Sequence, residues 1–194
     1  MTASRSLCVY CGSSVGAKPQ IQDAARQLGR LMAESRIRLV YGGGRVGLMG
    51  VIADAVLDGG GEVVGIIPEF LDTREVGHRG VTELHIVDSM HARKSLMVEL
   101  SDAFAVLPGG FGTLDETFEV LTWRQLRLHD KPIMLVDLDG YWNPFLDLVD
   151  HLIAQGFVHP SCRDLFTVVT SVEEVVAAVA QAPQPAVGTK GERL

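Results

Sequence analysis

Arg93, Lys94 and Glu116 are the charged residues whose neighbours give them something to do. Glu116 closes the stretch Pro108-Gly109-Gly110-Phe111-Gly112-Thr113-Leu114-Asp115-Glu116. An apolar run over 103–107 precedes it, and a helical pattern through 118–123 follows. Strand, glycine turn and helix together aim backbone N–H groups at an anion. The helix start carries roughly half an elementary positive charge, which favours phosphate. A carboxylate at the rim of such a site can serve a reacting centre. The same residues also spell Thr113-x-x-Glu116, a capping box in which both side chains merely satisfy orphan N–H groups. Glycines in front of the box are more than a cap requires.

Arg93 and Lys94 follow Asp88-Ser89-Met90-His91 about one turn into another helix, with Ser89 as its N-cap. The helix dipole disfavours cations there. Their presence points to an anionic ligand, or to a contact of Arg93 with Asp88 or Glu116; a bland surface pair is the alternative. His91 carries the weaker expectation of an exposed histidine. A second glycine-rich turn, Gly42-Gly43-Gly44-Arg45-Val46-Gly47-Leu48-Met49-Gly50, matches G-x-G-x-x-G at Gly42, Gly44 and Gly47. It follows the second strand rather than the first, and Glu62 precedes its strand. A phosphate or ribose contact at Gly43 and Gly44 is favoured over full dinucleotide binding. Cys11-Gly12-Ser13-Ser14 could hold a further small anion or form an ordinary turn. The polar segment 69–80, with Glu75, His78 and Arg79, is either a loop over the site or a solvated connection.

The elements that must position these residues alternate. Strands are predicted at 7–10, 38–41, 62–68, 84–87, 103–107, 133–136 and 166–169. Helices are predicted at 19–35, 51–57, from 89 onward, after the central glycine turn, at 143–155 stopping at Gly156, and at 171–180 behind a Ser171-x-x-Glu174 box. This alternation gives an α/β fold, a single Rossmann-like, doubly wound parallel sheet with helices on both faces. Residues 1–181 are expected to form one Rossmann-like domain, and 182–194 read as a disordered tail.

Composition bounds the partners. The 194 residues carry a formal net charge of −7, which argues against nucleic acid. An anionic ligand therefore needs local cations and N–H groups. Cys8 and Cys11 have C-x-x-C spacing but lie on a strand, and with Cys162 they read as buried thiols rather than a redox or zinc pair. No signal segment and no run of membrane-spanning length appears, so a cytoplasmic protein with no membrane partner is expected.

Taken together, Gly42-Gly43-Gly44-x-x-Gly47-Leu48-Met49-Gly50, Met90-His91-x-Arg93-Lys94 and Pro108-Gly109-Gly110-x-Gly112-Thr113-x-x-Glu116 resemble the Lonely Guy (LOG) family, from Cys8 to about Ala180. The resemblance implies a cytokinin riboside 5'-monophosphate phosphoribohydrolase. Such enzymes cleave the N-glycosidic bond of N6-substituted AMP, and of AMP itself, releasing base and ribose 5-phosphate. It implies Arg93 and Glu116 as the catalytic pair. Substrate contacts are expected from these two, from Glu75, Met90, Lys94 and Thr122, from Gly43 and Gly44, and from Gly110, Phe111, Gly112, Thr113, Leu114 and Asp115. No metal or organic cofactor is expected, and the partners implied are a nucleoside 5'-monophosphate and a second copy in a homodimer with the site near the interface. The label lysine decarboxylase, often given to such chains, needs a Schiff-base lysine and a pyridoxal-phosphate site, for which the chain shows no clear candidate. The rivals are a non-catalytic nucleotide or cofactor carrier of the same fold and a nicotinamide-dependent enzyme.

Overall fold

The computed structural model describes residues 5–72 and 77–182. Seven strands form one parallel sheet: β1 (Ser6–Tyr10), β2 (Arg38–Tyr41), β3 (Val63–Pro68), β4 (Glu83–Val87), β5 (Ala103–Val106), β6 (Ile133–Val136) and β7 (Thr167–Val169). Their order is β4-β3-β2-β1-β5-β6-β7, as the doubly wound expectation requires. In β1, Leu7 lies opposite Leu39 on one side and Ala103 on the other. Every residue of β1 is buried, because a central parallel strand has helices over both faces.

Alternate β1 residues feed two cores. Leu7, Val9 and Cys11 pack under α1 (Pro19–Glu34), α2 (Gly47–Asp58) and α7 (Val172–Gln181). Cys8 and Tyr10 pack under α4 (Met90–Glu99), α5 (Phe111–Gln125) and α6 (Asn143–Ala154). A short α3 (Glu69–Asp72) follows β3. The chain winds outward from β1 to β4, then returns to the other side of β1 with β5. The carboxyl ends of β1 and β5 therefore flank the switch point, where ligands of such sheets bind. Their turns touch: Gly12 N–H donates to Pro108 O at 3.1 Å.

Local expectations need three corrections. Helix α2 begins at Gly47, four residues before the predicted start. Leu48 and Met49 are buried there, and that packing outweighs the poor helix propensity of glycine. The predicted capping box does not form. Gly110 is the N-cap of α5, no side chain caps it, and Thr113 is already the third helical residue. The glycines let the chain turn into the helix one residue after Gly110, so the Thr113 hydroxyl packs over the α-carbon of Gly109 instead. The segment 69–80 is not a plain solvated connection. It contains α3, an antiparallel bridge between Gly44 and Gly77, and a buried His78.

Other local readings hold. Ser89 Oγ accepts from Ala92 N–H, and Ser171 Oγ accepts from Glu174 N–H. Gly156 takes a φ of 76° after α6, in the left-handed region that suits a glycine past a helix end. Cys8, Cys11 and Cys162 are free and buried. Among the described residues no helix is long and apolar enough to cross a membrane. Glu75 and the predicted tail beyond Ala182 lie outside the described residues.

Candidate active site

The site starts from an exposed helix end. The first N–H groups of a helix have no intrahelical acceptor, and those of α5 belong to Phe111, Gly112 and Thr113. A side chain built on Gly110 or on Gly112 would meet no atom within 4 Å. The turn thus presents bare backbone donors to open space, as a phosphate cradle must. Tyr141, beyond the end of β6, donates its hydroxyl to Gly109 O at 2.6 Å and braces this turn.

Glu116 lies one turn further along α5. At about 1.5 Å of rise per residue it sits roughly 4.5 Å beyond Thr113 along the axis. Its carboxylate faces the fourth residue of α4: Arg93 Nη2 is 4.0 Å from Glu116 Oε1, with side chains only 6% and 10% exposed. The guanidinium also donates to Gly42 O at 3.1 Å and to Met90 Sδ at 3.7 Å. Three elements therefore converge: the end of β2, the first turn of α4 and the second turn of α5. Burying two charges at such a separation contributes little to stability. The pair lies at the carboxyl edge of the sheet, where ligands of such folds bind.

Cys11 lies at the end of β1 within the field of this pair. Burial pushes its thiol well above the usual range, Glu116 adds to the shift, and Arg93 opposes it. The thiol stays protonated.

Lys94 points elsewhere. Its ammonium bridges Asp115 and Glu119, at 3.1 Å from each, and so ties α4 to α5. Burial lowers its pKa, but hydrogen bonds and charge from the two carboxylates outweigh that, and the net shift is upward. A Schiff base needs a neutral amine, so this lysine suits a clamp.

The predicted residues divide accordingly. Arg93, Glu116, Met90 and the Gly42–Gly44 turn come together, with the α5 cradle one turn away. Lys94 and Asp115 spend their charges on each other. Leu114 packs against the second core. Phe111 stands 93% exposed. Thr122 is exposed with its hydroxyl on Phe118 O, about 9 Å along α5 from Glu116, and this chain alone does not bring it to the pair. His91 is exposed.

Sequence reasoning passed over Tyr141 and left His78 undecided between a loop over the site and a solvated connection. Tyr141 follows the Asp-Leu-Asp-Gly turn at the carboxyl end of β6, on the ligand-binding edge, and that position was the available signal. His78 Nε2 meets Asp54 Oδ1 at 2.8 Å, and its backbone N–H donates to Gly43 O at 2.9 Å. It thereby clamps segment 77–80 onto the β2–α2 turn.

A family model described as "possible lysine decarboxylase" matches residues 49–179. The cytokinin riboside 5'-monophosphate phosphoribohydrolase of Rhodococcoides fascians is 48% identical over 176 residues, covering 90% of this chain and 89% of that protein. The enzyme of that name called LOG3 from Arabidopsis thaliana is 48% identical over 172 residues, covering 89% and 80%. Among solved structures, a molybdenum cofactor binding protein from Rippkaea orientalis aligns with a TM-score of 0.70 at 23% identity, covering 93% of this chain and 98% of that one. The molybdenum cofactor carrier protein of Chlamydomonas reinhardtii aligns with a TM-score of 0.68 at 20% identity, covering 93% and 98%. At these identities the structural likeness speaks to the fold. The family match takes in β3 to β7 with the helices that carry the buried pair, the relatives cover about nine-tenths of the chain, and the chain belongs to the LOG family.

Proposed function

We propose that this protein hydrolyses the N-glycosidic bond of adenosine 5'-monophosphates, N6-substituted ones foremost, to free base and ribose 5-phosphate. The observation that carries this reading is the buried Arg93–Glu116 pair, 4.0 Å apart and one helical turn from an open phosphate cradle. The names borne by relatives at 48% identity support the same chemistry.

The 5'-phosphate sits on the N–H groups of Gly110 to Thr113, which sets the sugar along the first turns of α5. The bond between C1' and the purine nitrogen breaks, and its electron pair leaves with the base. Positive charge develops on the sugar as an oxocarbenium-like transition state. The Glu116 carboxylate stabilises that charge and accepts a proton from the water that attacks C1'; the departing purine nitrogen takes a proton from solvent and Glu116 returns one to solvent, so neutral base leaves and the carboxylate is restored. Arg93 is too basic to donate its proton outright. It hydrogen-bonds the departing base or holds Glu116 in register. Domain 1–181 performs this without a cofactor.

The working unit is a homodimer in the cytoplasm. Three buried free thiols suit a reducing compartment. Phe111, Phe118 and Leu126 are exposed large apolar groups spaced along α5 and its end, with Thr122 among them, a surface that suits a second copy. Thr122 then serves a site completed across the interface.

The test is chromatographic. AMP and N6-isopentenyl-AMP are incubated with the protein, and free base and ribose 5-phosphate are quantified together. Stoichiometric release is expected, with the corresponding nucleosides turned over far more slowly. Nucleotides bound but recovered intact would make the protein a carrier. Equal turnover of nucleosides would remove the cradle from the mechanism.

A further inference from the structure

Gly42 is a glycine for a reason its backbone does not supply. Gly43 beside it has a φ of 76°, but Gly42 does not lie in the left-handed region, so alanine could adopt its conformation. What excludes a side chain is Arg93. A Cβ on Gly42 would stand 1.9 Å from Arg93 Nη2 and 3.0 Å from Arg93 Cζ. The same residue offers its carbonyl to that nitrogen at 3.1 Å. Gly42 therefore both makes the space the guanidinium fills and supplies the acceptor that holds it there.

Described neighbours border the guanidinium on two sides. On the turn side, the backbone is clamped. His78 N–H donates to Gly43 O at 2.9 Å, Gly44 pairs with Gly77, and His78 is itself held by Asp54. Met49 Sδ lies 3.3 Å from the same Cβ position, closing another exit. On the far side stands Glu116 at 4.0 Å. A methyl group on Gly42 would push Nη2 more than about 1 Å, since apolar heavy atoms settle near 3.5–4.0 Å.

From this we infer that Gly42 is a positioning residue for Arg93: the bare α-carbon at the end of β2 is a seat that sets the guanidinium against Glu116. The inference rests on the catalytic assignment of Arg93 proposed above and adds a function for the first glycine of the β2–α2 turn. That glycine serves the arginine and not a ligand phosphate. A misplacement of about 1 Å can cost a reaction roughly 100-fold.

The experiment compares Gly42→Ala in two backgrounds, with base release from AMP as one readout and a crystal structure as the other. In the natural background, kcat should fall about 100-fold, and KM, which reports the phosphate cradle on another element, should change less than about threefold. In an Arg93→Ala background, where the seat is vacated, adding Gly42→Ala should change kcat less than about twofold. An equal loss in both backgrounds overturns the inference. The crystal structure of Gly42→Ala should show Arg93 displaced by roughly 1 Å or more, with the turn in place. A shifted turn with Arg93 unmoved overturns it. This readout holds even if no nucleotide is hydrolysed by the unmodified protein, so failure of the functional reading and failure of the seat are separable. Should Gly42→Ala be insoluble, the double variant decides: soluble double variant supports the seat, and an insoluble one overturns it.

Discussion

The turn after β5 and the turn after β2 are both rich in glycine, yet their glycines face different things. After β5, the positions a side chain would occupy at Gly110 and Gly112 are open. After β2, the positions at Gly42, Gly43, Gly47 and Gly50 are taken by the protein. Gly42 is filled by Arg93, and Gly43 abuts Ile66 and Ile67 at 3.0–3.2 Å. Gly47 meets the Ser13 carbonyl carbon at 2.2 Å, and Gly50 meets Arg45 O at 2.2 Å. A glycine needed by a ligand leaves room, whereas one needed by packing leaves none. By that criterion the β5 turn suits an anion at Gly110 and Gly112, while the β2 turn, despite its match to a dinucleotide fingerprint, is filled by the protein's own atoms at Gly42, Gly43, Gly47 and Gly50.

The largest expected effect lies beside the open turn. Glu116→Gln keeps the size of the side chain and removes its charge. Base release should fall by about 10²- to 10⁴-fold, the range of general acid–base contributions. Equilibrium binding of AMP should persist, because the cradle is backbone. Unchanged turnover would take Glu116 out of the chemistry. The next effect breaks the closed turn. Gly47 has a φ of 60° and no space, so Gly47→Ala should cost about 3 kcal/mol, at the upper end of overpacking. Thermal denaturation reads this directly. A variant as stable as the parent would mean the β2 turn can yield, and the contrast between the turns would lose its force.

How much of this contrast could be read in the sequence depended on how local the cause was. Strands such as Ile133–Val136 were legible because a parallel strand buried on both faces is written as an unbroken apolar run. Arg93 and Glu116 were legible as candidates from their neighbours. A contact of Arg93 with Glu116 was among the readings of the sequence, but the more distant partners were not. Arg93 finds Gly42 across 51 residues, and His78 finds Asp54 across 24. No periodicity encodes such pairings; they follow from strand order. Thr113-x-x-Glu116 misled because its pattern fits a helix starting at Thr113 as well as one starting at Phe111. The glycine fingerprint was ambiguous in a related way, since spacing alone does not say whether the room a glycine makes is used by a ligand or by a side chain.

Smaller perturbations sharpen the comparison at the open turn. Gly110→Ala adds a methyl into free space at a φ of −96°, which alanine tolerates. Stability should hold, and KM for the nucleotide should rise about tenfold, equivalent to roughly 1.4 kcal/mol, as the methyl crowds the phosphate. Titration with AMP and a melting curve together test this. A loss of stability with no change in KM would place the ligand elsewhere. Tyr141→Phe should do less. It removes one hydrogen bond to Gly109 O, worth about 0.5–1.5 kcal/mol. KM should rise a few-fold and kcat should stay, because the brace acts on the cradle and not on Glu116.

The smallest effect belongs to the other end of α5, which separates catalysis from acid stability on one helix. His129 packs against Phe104 and bonds Val120 O through Nε2 at 3.0 Å. Burial pushes its pKa below the usual value, and the Val120 carbonyl only partly opposes that. The folded state thus binds this proton later than the unfolded chain does. Stability from the neutral ring is complete above the ordinary imidazole range near pH 6.5. It declines as pH falls through that value toward the lower folded one. The group is partly solvated, so Tm should drop by only about 2 °C between pH 7 and 5.5 on this account. His129→Gln should lose that share of the slope and leave kcat at pH 7 unchanged, since the ring stands at the opposite end of α5 from the cradle. An undiminished slope in the variant would assign acid sensitivity to other groups. A fall in kcat would mean the two ends of α5 are coupled, against the division drawn between them.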